Sequence, residues 1–538
     1  MIWAAFLALL APTAALTTPQ LRERSIYQVV TDRFERPDGT AQPCNPADRR
    51  YCGGGWKGIE RQLPYIQGMG FDTVWISPVV ANIEGIPNSE SYHGYWASNM
   101  FELNSRFGTP QDLLDLSDAL HQRGMYLMVD VAVNHVGCVP GEFIPGAQYG
   151  PFSKPEHFHD FCIPDWKLDD QLEAEQCWLT DHMPDLNTEN PEVIALLHGW
   201  VRHLVRQFHI DAIRVDTVKH VRKDFWPEFV AAAGVAAMGE VYHGGEQNLL
   251  IHLTSDPLYL RRYQEHSLES ILDYATFFHL RRAFQNVNTP IEELTSMITR
   301  VHRMLPDPTL LASFLDNHDN PRYPGIVQDR ALLKNAAVYP FINDGYPVVY
   351  QGQEHGLSGG ADPFNREAIW KHGFSSSRPM YHVFARLNHA RRRAIAFPPF
   401  LTSLMRHHKL DAHTAVFAKP PLVTILTNTG AASPVRVYYL PSALTTFAPR
   451  MAVVDALTGQ VFATDPQGGL SVPIVSGEPR VFLPLGTWEG RQVAWQLSAN
   501  AERERERAAI KHQNGGASPA HSRGSSLSSM FSWFRGSK

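Results

Sequence analysis

The chain has 538 residues, 44% of them hydrophobic, and a formal net charge of −6. That length and apolar content suit two or three domains with large buried cores. The mildly acidic balance leaves no basic footprint, which excludes nucleic acid as a partner.

In chain order, residues 1–15 form a short apolar stretch ending in small residues. It is too short to span a bilayer and reads as a secretory leader cleaved near Ala15, although it lacks a basic start. A buried N-terminal helix is the alternative. Five cysteines agree with export. Eight short apolar runs follow, at 25–34, 71–78, 125–133, 209–218, 235–241, 268–274, 309–316 and 345–351. Stretches of helical period such as 110–124 and 191–208 separate several of them, the rhythm of βα units around one parallel sheet. Residues 136–190 break that rhythm. They are rich in Gly, Pro, Phe, His and Asp with no long helical pattern, and so long a loop in a compact barrel predicts a domain or a functional insertion. Over 400–488 the pattern changes to short alternating strands punctuated by Gly, Pro and Asn, suited to a sandwich. Residues 489–538 begin with Glu502-Arg-Glu-Arg-Glu-Arg507 and turn to Gly, Ser, His and Pro, as a solvated, disordered tail would. Met530-Phe-Ser-Trp-Phe534 in that tail is too short to anchor a membrane alone, and no transmembrane span is expected.

Four of the runs end in acids. In Asp211-Ala-Ile-Arg-Val-Asp-Thr-Val-Lys-His220, strand alternation puts Arg214 and Asp216 on one face, opposite Ile213 and Val215. A neighbouring Arg214 keeps Asp216 ionised, as a carboxylate nucleophile requires, though the pair could equally be a structural ion pair. Asp130-Val-Ala-Val-Asn-His135, Gly239-Glu240-Val241 and Phe314-Leu-Asp-Asn-His-Asp-Asn-Pro-Arg322 repeat the theme. Four acids at strand ends, in order along the chain, point to the C-terminal face of an eight-stranded barrel, where catalytic groups collect.

These four segments resemble the signature regions of the α-amylase family of retaining glycoside hydrolases, over residues 25–488. Cys44-Asn-Pro-Ala-Asp-Arg-Arg-Tyr-Cys52, Tyr92-His-Gly-Tyr-Trp96, Met125-Tyr-Leu-Met-Val-Asp130 and Asp362-Pro-Phe-Asn-Arg366 are similar to stretches of its secreted fungal members. The resemblance implies an α/β fold: a (β/α)8 TIM barrel over 16–135 and 191–399, an inserted calcium-binding domain over 136–190 after the third strand, and an antiparallel β-sandwich over 400–488. It also implies disulfides Cys44 to Cys52 and Cys162 to Cys177, with Cys138 left over.

Breaking a glycosidic bond with retention needs one ionised carboxylate to attack and one protonated carboxyl to donate. The resemblance assigns these to Asp216 and Glu240, with Asp319 as the third acid that binds sugar hydroxyls. Glu240 has no cation within its own segment, which fits a group that stays protonated. His135 and His318 match histidines that hydrogen-bond the sugar at the cleavage point, and Tyr95 an aromatic that stacks on it. Trp96 is read as a wall of the site. Lys219 and His220 match contacts on the leaving-group side, Asp362 and Arg366 contacts on the other. Arg49 stands where the resemblance leads one to expect Gln. The implied metal is Ca2+, held by Asn134, Glu175, Asp185 and the backbone carbonyl of His220, all through oxygen as a hard cation prefers.

The expected activity is endo-acting hydrolysis of α-1,4-glucosidic bonds in starch, glycogen or related α-glucans by a secreted monomer. Two alternatives share these residues: a 4-α-glucanotransferase, in which a second glucan replaces water, and an inactive glucan-binding homologue. His135 favours hydrolysis over transfer, and the intact acids argue against a dead enzyme.

Overall fold

A computed structural model describes residues 15–168, 170–242 and 256–489. The expected leader up to residue 14 and the tail beyond 489 lie outside the described residues.

Each apolar run yields one short strand of a closed parallel barrel. In chain order the strands are β1 (Ile26–Val29), β2 (Thr73–Ile76), β5 (Tyr126–Val131), β6 (Ala212–Val215), β7 (Ala236–Gly239), β8 (Ser270–Leu272), β9 (Leu311–Ser313) and β10 (Tyr346–Tyr350), with β10 closing onto β1. Two strands that alternation did not flag, β3 (Val80–Asn82) and β4 (Ala97–Leu103), pair antiparallel outside the barrel. They carry the loop containing Tyr95 and Trp96. Barrel strands are buried on both faces, which is why they read as unbroken apolar runs. Their alternation still sorts two cores. Ile26, Trp75, Met128, Ala212, Met238 and Ala312 fill the barrel, whereas Tyr27, Val74, Leu127, Ile213, Ala237 and Leu311 pack outward against the helices. Arg214, two residues from Ala212, therefore points inward.

Local chemistry sets the helix ends. The helix Pro110–His121 starts on a Thr109 capping box with Asp112, and Pro191–Gln207 starts on the Asn190 side chain, each with proline at a first-turn position where no N–H partner is lost. Val193, Leu197, Trp200, Val201, Leu204 and Val205 form the buried stripe of the second helix.

The insertion has little regular structure: short 3-10 turns, one helix (Gln171–Gln176) and isolated bridges from His135 to Asp185 and from Phe158 to Leu186. An aromatic knot holds it, with Phe143 4.9 Å from Phe158 and 5.0 Å from Trp178 between ring centres. Cys162 and Cys177 are bonded across it, Cys44 and Cys52 are bonded near the first barrel loop, and Cys138 is free and buried.

The C-terminal part is antiparallel. The strands are β11 (Arg406–Lys409), β12 (Thr414–Lys419), β13 (Leu422–Thr427), β14 (Arg436–Leu440), β15 (Ala452–Asp455), β16 (Val461–Ala463), β17 (Leu470–Ile474) and β18 (Arg480–Pro484). Six of them form a sheet in the order β11-β12-β13-β18-β15-β16, and β14 pairs with β17. This arrangement is the expected β-sandwich appended to a (β/α)8 barrel. Among the described residues no helix is long and apolar enough to cross a membrane.

Candidate active site

Asp216 and Glu240 are each the first residue beyond a barrel strand, β6 and β7, and the ladder still grips them. Asp216 N–H donates to Val131 O at 3.0 Å and Glu240 N–H to Val215 O at 2.9 Å. Their side chains are therefore aimed by the sheet and not by a loop.

One guanidinium organises the centre. Arg214 Nη1 lies 2.9 Å from Asp130 Oδ1 and 2.6 Å from Asp216 Oδ1, and Nη2 lies 2.8 Å from Glu240 Oε1. Asp130 is its lateral neighbour in the sheet, since β5 and β6 pair Asp130 with Arg214. The absence of a cation in the Glu240 segment thus misled: the neighbouring strand supplies one. Burial nonetheless raises the Glu240 pKa well above the usual carboxylate range. Arg214 opposes the rise, and Asp216 and Asp319 add to it. Burial likewise raises Asp319, against Arg366 and Arg214, and lifts Asp130 to about 7 against Arg214.

A second network runs through Tyr95. Its hydroxyl donates to Asp130 Oδ2 at 2.8 Å and lies 2.8 Å from His318 Nε2, while Gln28 Nε2 donates to His318 Nδ1 at 2.8 Å. With Nδ1 accepting, the proton of a neutral His318 belongs on Nε2, facing the tyrosine oxygen. Burial and then Arg366 and Arg214 hold the His318 pKa well below its ordinary value, so the ring is neutral. The Tyr95 ring stacks on His318 at 5.4 Å and on His93 at 5.7 Å. His135 is 3.0 Å from the Tyr95 carbonyl, and burial lowers its pKa too. Trp96 packs edge-on against His93 and His182 as part of the wall.

Arg366 bridges acids: Nη1 is 3.0 Å from Asp362 Oδ1 and Nη2 3.5 Å from Asp319 Oδ1. Arg49 adds a second cation to Asp362 at 3.0 Å. Lys219 lies 5.7 Å from the Trp166 ring, and His220 Nδ1 is 3.0 Å from Ala174 O. His93, Asp130, Gln28 and Trp166 thus join the site without having been singled out as contacts. Only Asp130 carried a signal, as an acid at a strand end.

For the expected calcium, Asn134 Oδ1 and Asp185 Oδ1 are buried acceptors without a partner, while Asp185 Oδ2 is held by His159 at 2.7 Å. Gln171 Nε2 ties Glu175 Oε1, at 2.6 Å, to the Lys219 carbonyl at 3.2 Å, which brings the Glu175 helix against the 218–220 turn. Among the described residues no three of His, Cys, Asp and Glu converge as a metal cluster. A site here depends on amide and carbonyl oxygens as well, and two orphaned oxygens, one amide and one carboxylate, fit a hard cation.

Comparison with known proteins agrees with this geometry. Residues 28–394 match the family described as alpha amylase, catalytic domain, and residues 409–500 match alpha-amylase, domain C. The chain is 39% identical to alpha-amylase 2 of Schwanniomyces occidentalis, over 86% of this chain and 90% of that one. It is 37% identical to the alpha-amylase of Saccharomycopsis fibuligera, over 86% and 92%. An alpha-amylase structure from Malbranchea cinnamomea superposes with a TM-score of 0.82 at 40% identity, covering 88% of this chain and 98% of the other.

Proposed function

The chain belongs to the α-amylase family and is a glycoside hydrolase of α-1,4-glucosidic bonds, and from that premise we propose a role for each group in the site. Asp216 attacks the anomeric carbon with a carboxylate oxygen while Glu240 gives its proton to the glycosidic oxygen, so the leaving sugar departs as an alcohol. Glu240, now ionised, takes a proton from water, and the resulting attack on the anomeric carbon releases Asp216. Two inversions restore the α configuration. Asp319, with His135 and His318, holds hydroxyls of the sugar at the cleavage point against Tyr95 and Trp96. Lys219 and His220 take the leaving-group side, Asp362 and Arg366 the other.

The observation that carries this reading is the pair Asp216 and Glu240 on the two terminal nitrogens of one guanidinium. Such a shared anchor supports the close spacing of a retaining pair, roughly 5 to 5.5 Å, over the wider gap an inverting enzyme needs for water. Contacts on both flanks support internal cleavage. The family matches support a barrel over 16–135 and 191–399, with 136–190 inserted and 400–488 appended. Calcium bound by Asn134, Glu175, Asp185 and the His220 carbonyl would supply a fixed charge that pins the insertion to the barrel. The two disulfides support a secreted protein, and we assign it as a monomer.

Incubation with maltoheptaose, with products sized and their fresh anomers read by NMR, tests the reading. Shorter products whose newly formed reducing ends are α, over the α/β mixture already present at the substrate's own reducing end, are expected. New reducing ends released as β would overturn Asp216 as nucleophile, and products longer than the substrate would make the enzyme a transferase.

A further inference from the structure

Asp319 is the least anchored of the three acids. Its carboxylate lies 3.5 Å from both Arg366 Nη2 and His318 Nε2, beyond good hydrogen-bond distance. Its position must therefore come from the turn that carries it. Residues 317–320 follow β9, and Asn317 organises them: its Oδ1 accepts from Asp319 N–H at 3.2 Å, Asn320 N–H at 3.0 Å and Asn320 Nδ2 at 3.0 Å. Asn317 Nδ2 donates to the Tyr274 hydroxyl at 2.9 Å. The Tyr274 ring, fully buried just after β8, stacks on Tyr242 with centres 4.4 Å apart and 14° between planes. The Tyr242 hydroxyl then donates to Asn320 Oδ1 at 3.2 Å. The path closes on itself: Tyr242, Asn320, Asn317, Tyr274 and back to Tyr242.

Tyr242 stands two residues beyond Glu240 on the same strand exit. The ring of contacts thus joins the end of β7, which carries the acid/base, to the turn after β9, which carries the third acid. We propose that Tyr242, Tyr274, Asn317 and Asn320 are positioning residues that hold Asp319 at its working distance from Glu240. The inference rests on the roles proposed above for those two acids. None of the four needs to touch substrate. Their effect is geometric, and it is felt where Asp319 matters most, in the transition state.

Tyr242→Phe keeps the ring stack and removes only the hydroxyl. On maltoheptaose it should lower kcat about tenfold, because small misplacements of a reacting group are costly, while KM and the melting temperature stay near wild type. Asn320→Ala should do the same, and the double variant should be no worse than either single, since both break one path. A lesion that merely loosened the fold would lower the melting temperature and would not separate kcat from KM. Wild-type kcat in Tyr242→Phe, or losses that multiply in the double variant, would overturn the proposal. Asp319→Asn, measured alongside, separates the two levels. If it stays active, the role of Asp319 itself fails; if it is inactive while Tyr242→Phe is unaffected, only the positioning idea fails.

Discussion

A guanidinium that touches three buried carboxylates cannot neutralise them all, so the cluster favours a proton on one of the acids. Glu240 is the best candidate, because burial and the charges of Asp216 and Asp319 all favour its neutral form. The sign for catalysis follows. The donor proton is present below the Glu240 pKa and lost as pH rises through it, so kcat/KM should fall on an alkaline limb well above the usual glutamate value of about 4.3. A fall centred near pH 4 to 5, roughly that unperturbed value, would show Glu240 to be an ordinary exposed acid. Glu240→Gln and Asp216→Asn should each cost about two to four powers of ten or more in activity on starch, with unchanged circular dichroism. Activity within about tenfold of wild type would strip that residue of its role. Arg214→Met should lose activity and also stability, on the order of 3–5 kcal/mol in urea unfolding, because it strands buried carboxylates without their cation.

The insertion is the element least able to hold itself. Among the described residues it has one six-residue helix, a disulfide and an aromatic knot, and it meets the barrel at the bridge from His135 to Asp185 and at the bonds of Gln171 to the Lys219 carbonyl and of His220 to the Ala174 carbonyl. A calcium ion shared by Asn134 after the third barrel strand and by Glu175 and Asp185 in the insertion would be bound only by the folded state, and so would stabilise it by mass action. Exhaustive chelation is expected to lower the melting temperature and readdition of calcium to restore it; an unmoved transition would remove the site. The C-terminal sheet docks differently. Lys419 of β12, almost wholly buried, donates to the carbonyls of Asn343 at 3.3 Å and Asp344 at 2.8 Å in the barrel, and lies 3.6 Å from the Asp344 carboxylate that His302 also contacts. Lys419→Met leaves those acceptors unpaired at about 1–3 kcal/mol for each lost group. A thermal scan should show a lower transition with kcat nearly intact, since the catalytic acids lie at the C-terminal ends of the barrel strands.

At the scale of the molecule, the roles proposed for Lys219 and His220 on the leaving-group side and for Asp362 and Arg366 on the other expect glucan to be bound on both sides of the cut. An enzyme of that kind cuts polymers internally, and viscosity of soluble starch should collapse well before much reducing sugar appears. Reducing sugar rising first would mean a cleft closed at one end and an exo mode.

The amino-acid order alone determined the architecture, and its resemblance to a family singled out the acids. Parallel strands buried on both faces read as apolar runs, and polar groups collect towards the ends of those runs, so eight runs and the acids near their ends were legible without coordinates. The change to alternating strands after residue 400 was legible for the same reason, as was the break at 136–190. What only the tertiary structure decided is which groups meet. Arg214 reaches Asp130 and Glu240 through sheet register, a relation between strands that are more than 20 residues apart in sequence and adjacent in space. The β3–β4 hairpin was missed because Tyr95 and Trp96 fall in a stretch without clear alternation. The closed path from Tyr242 to Asn320 was invisible for a deeper reason. Hydrogen bonds and ring stacking depend on distances of a few ångström between separate strand exits, and no local pattern of residue types encodes those distances.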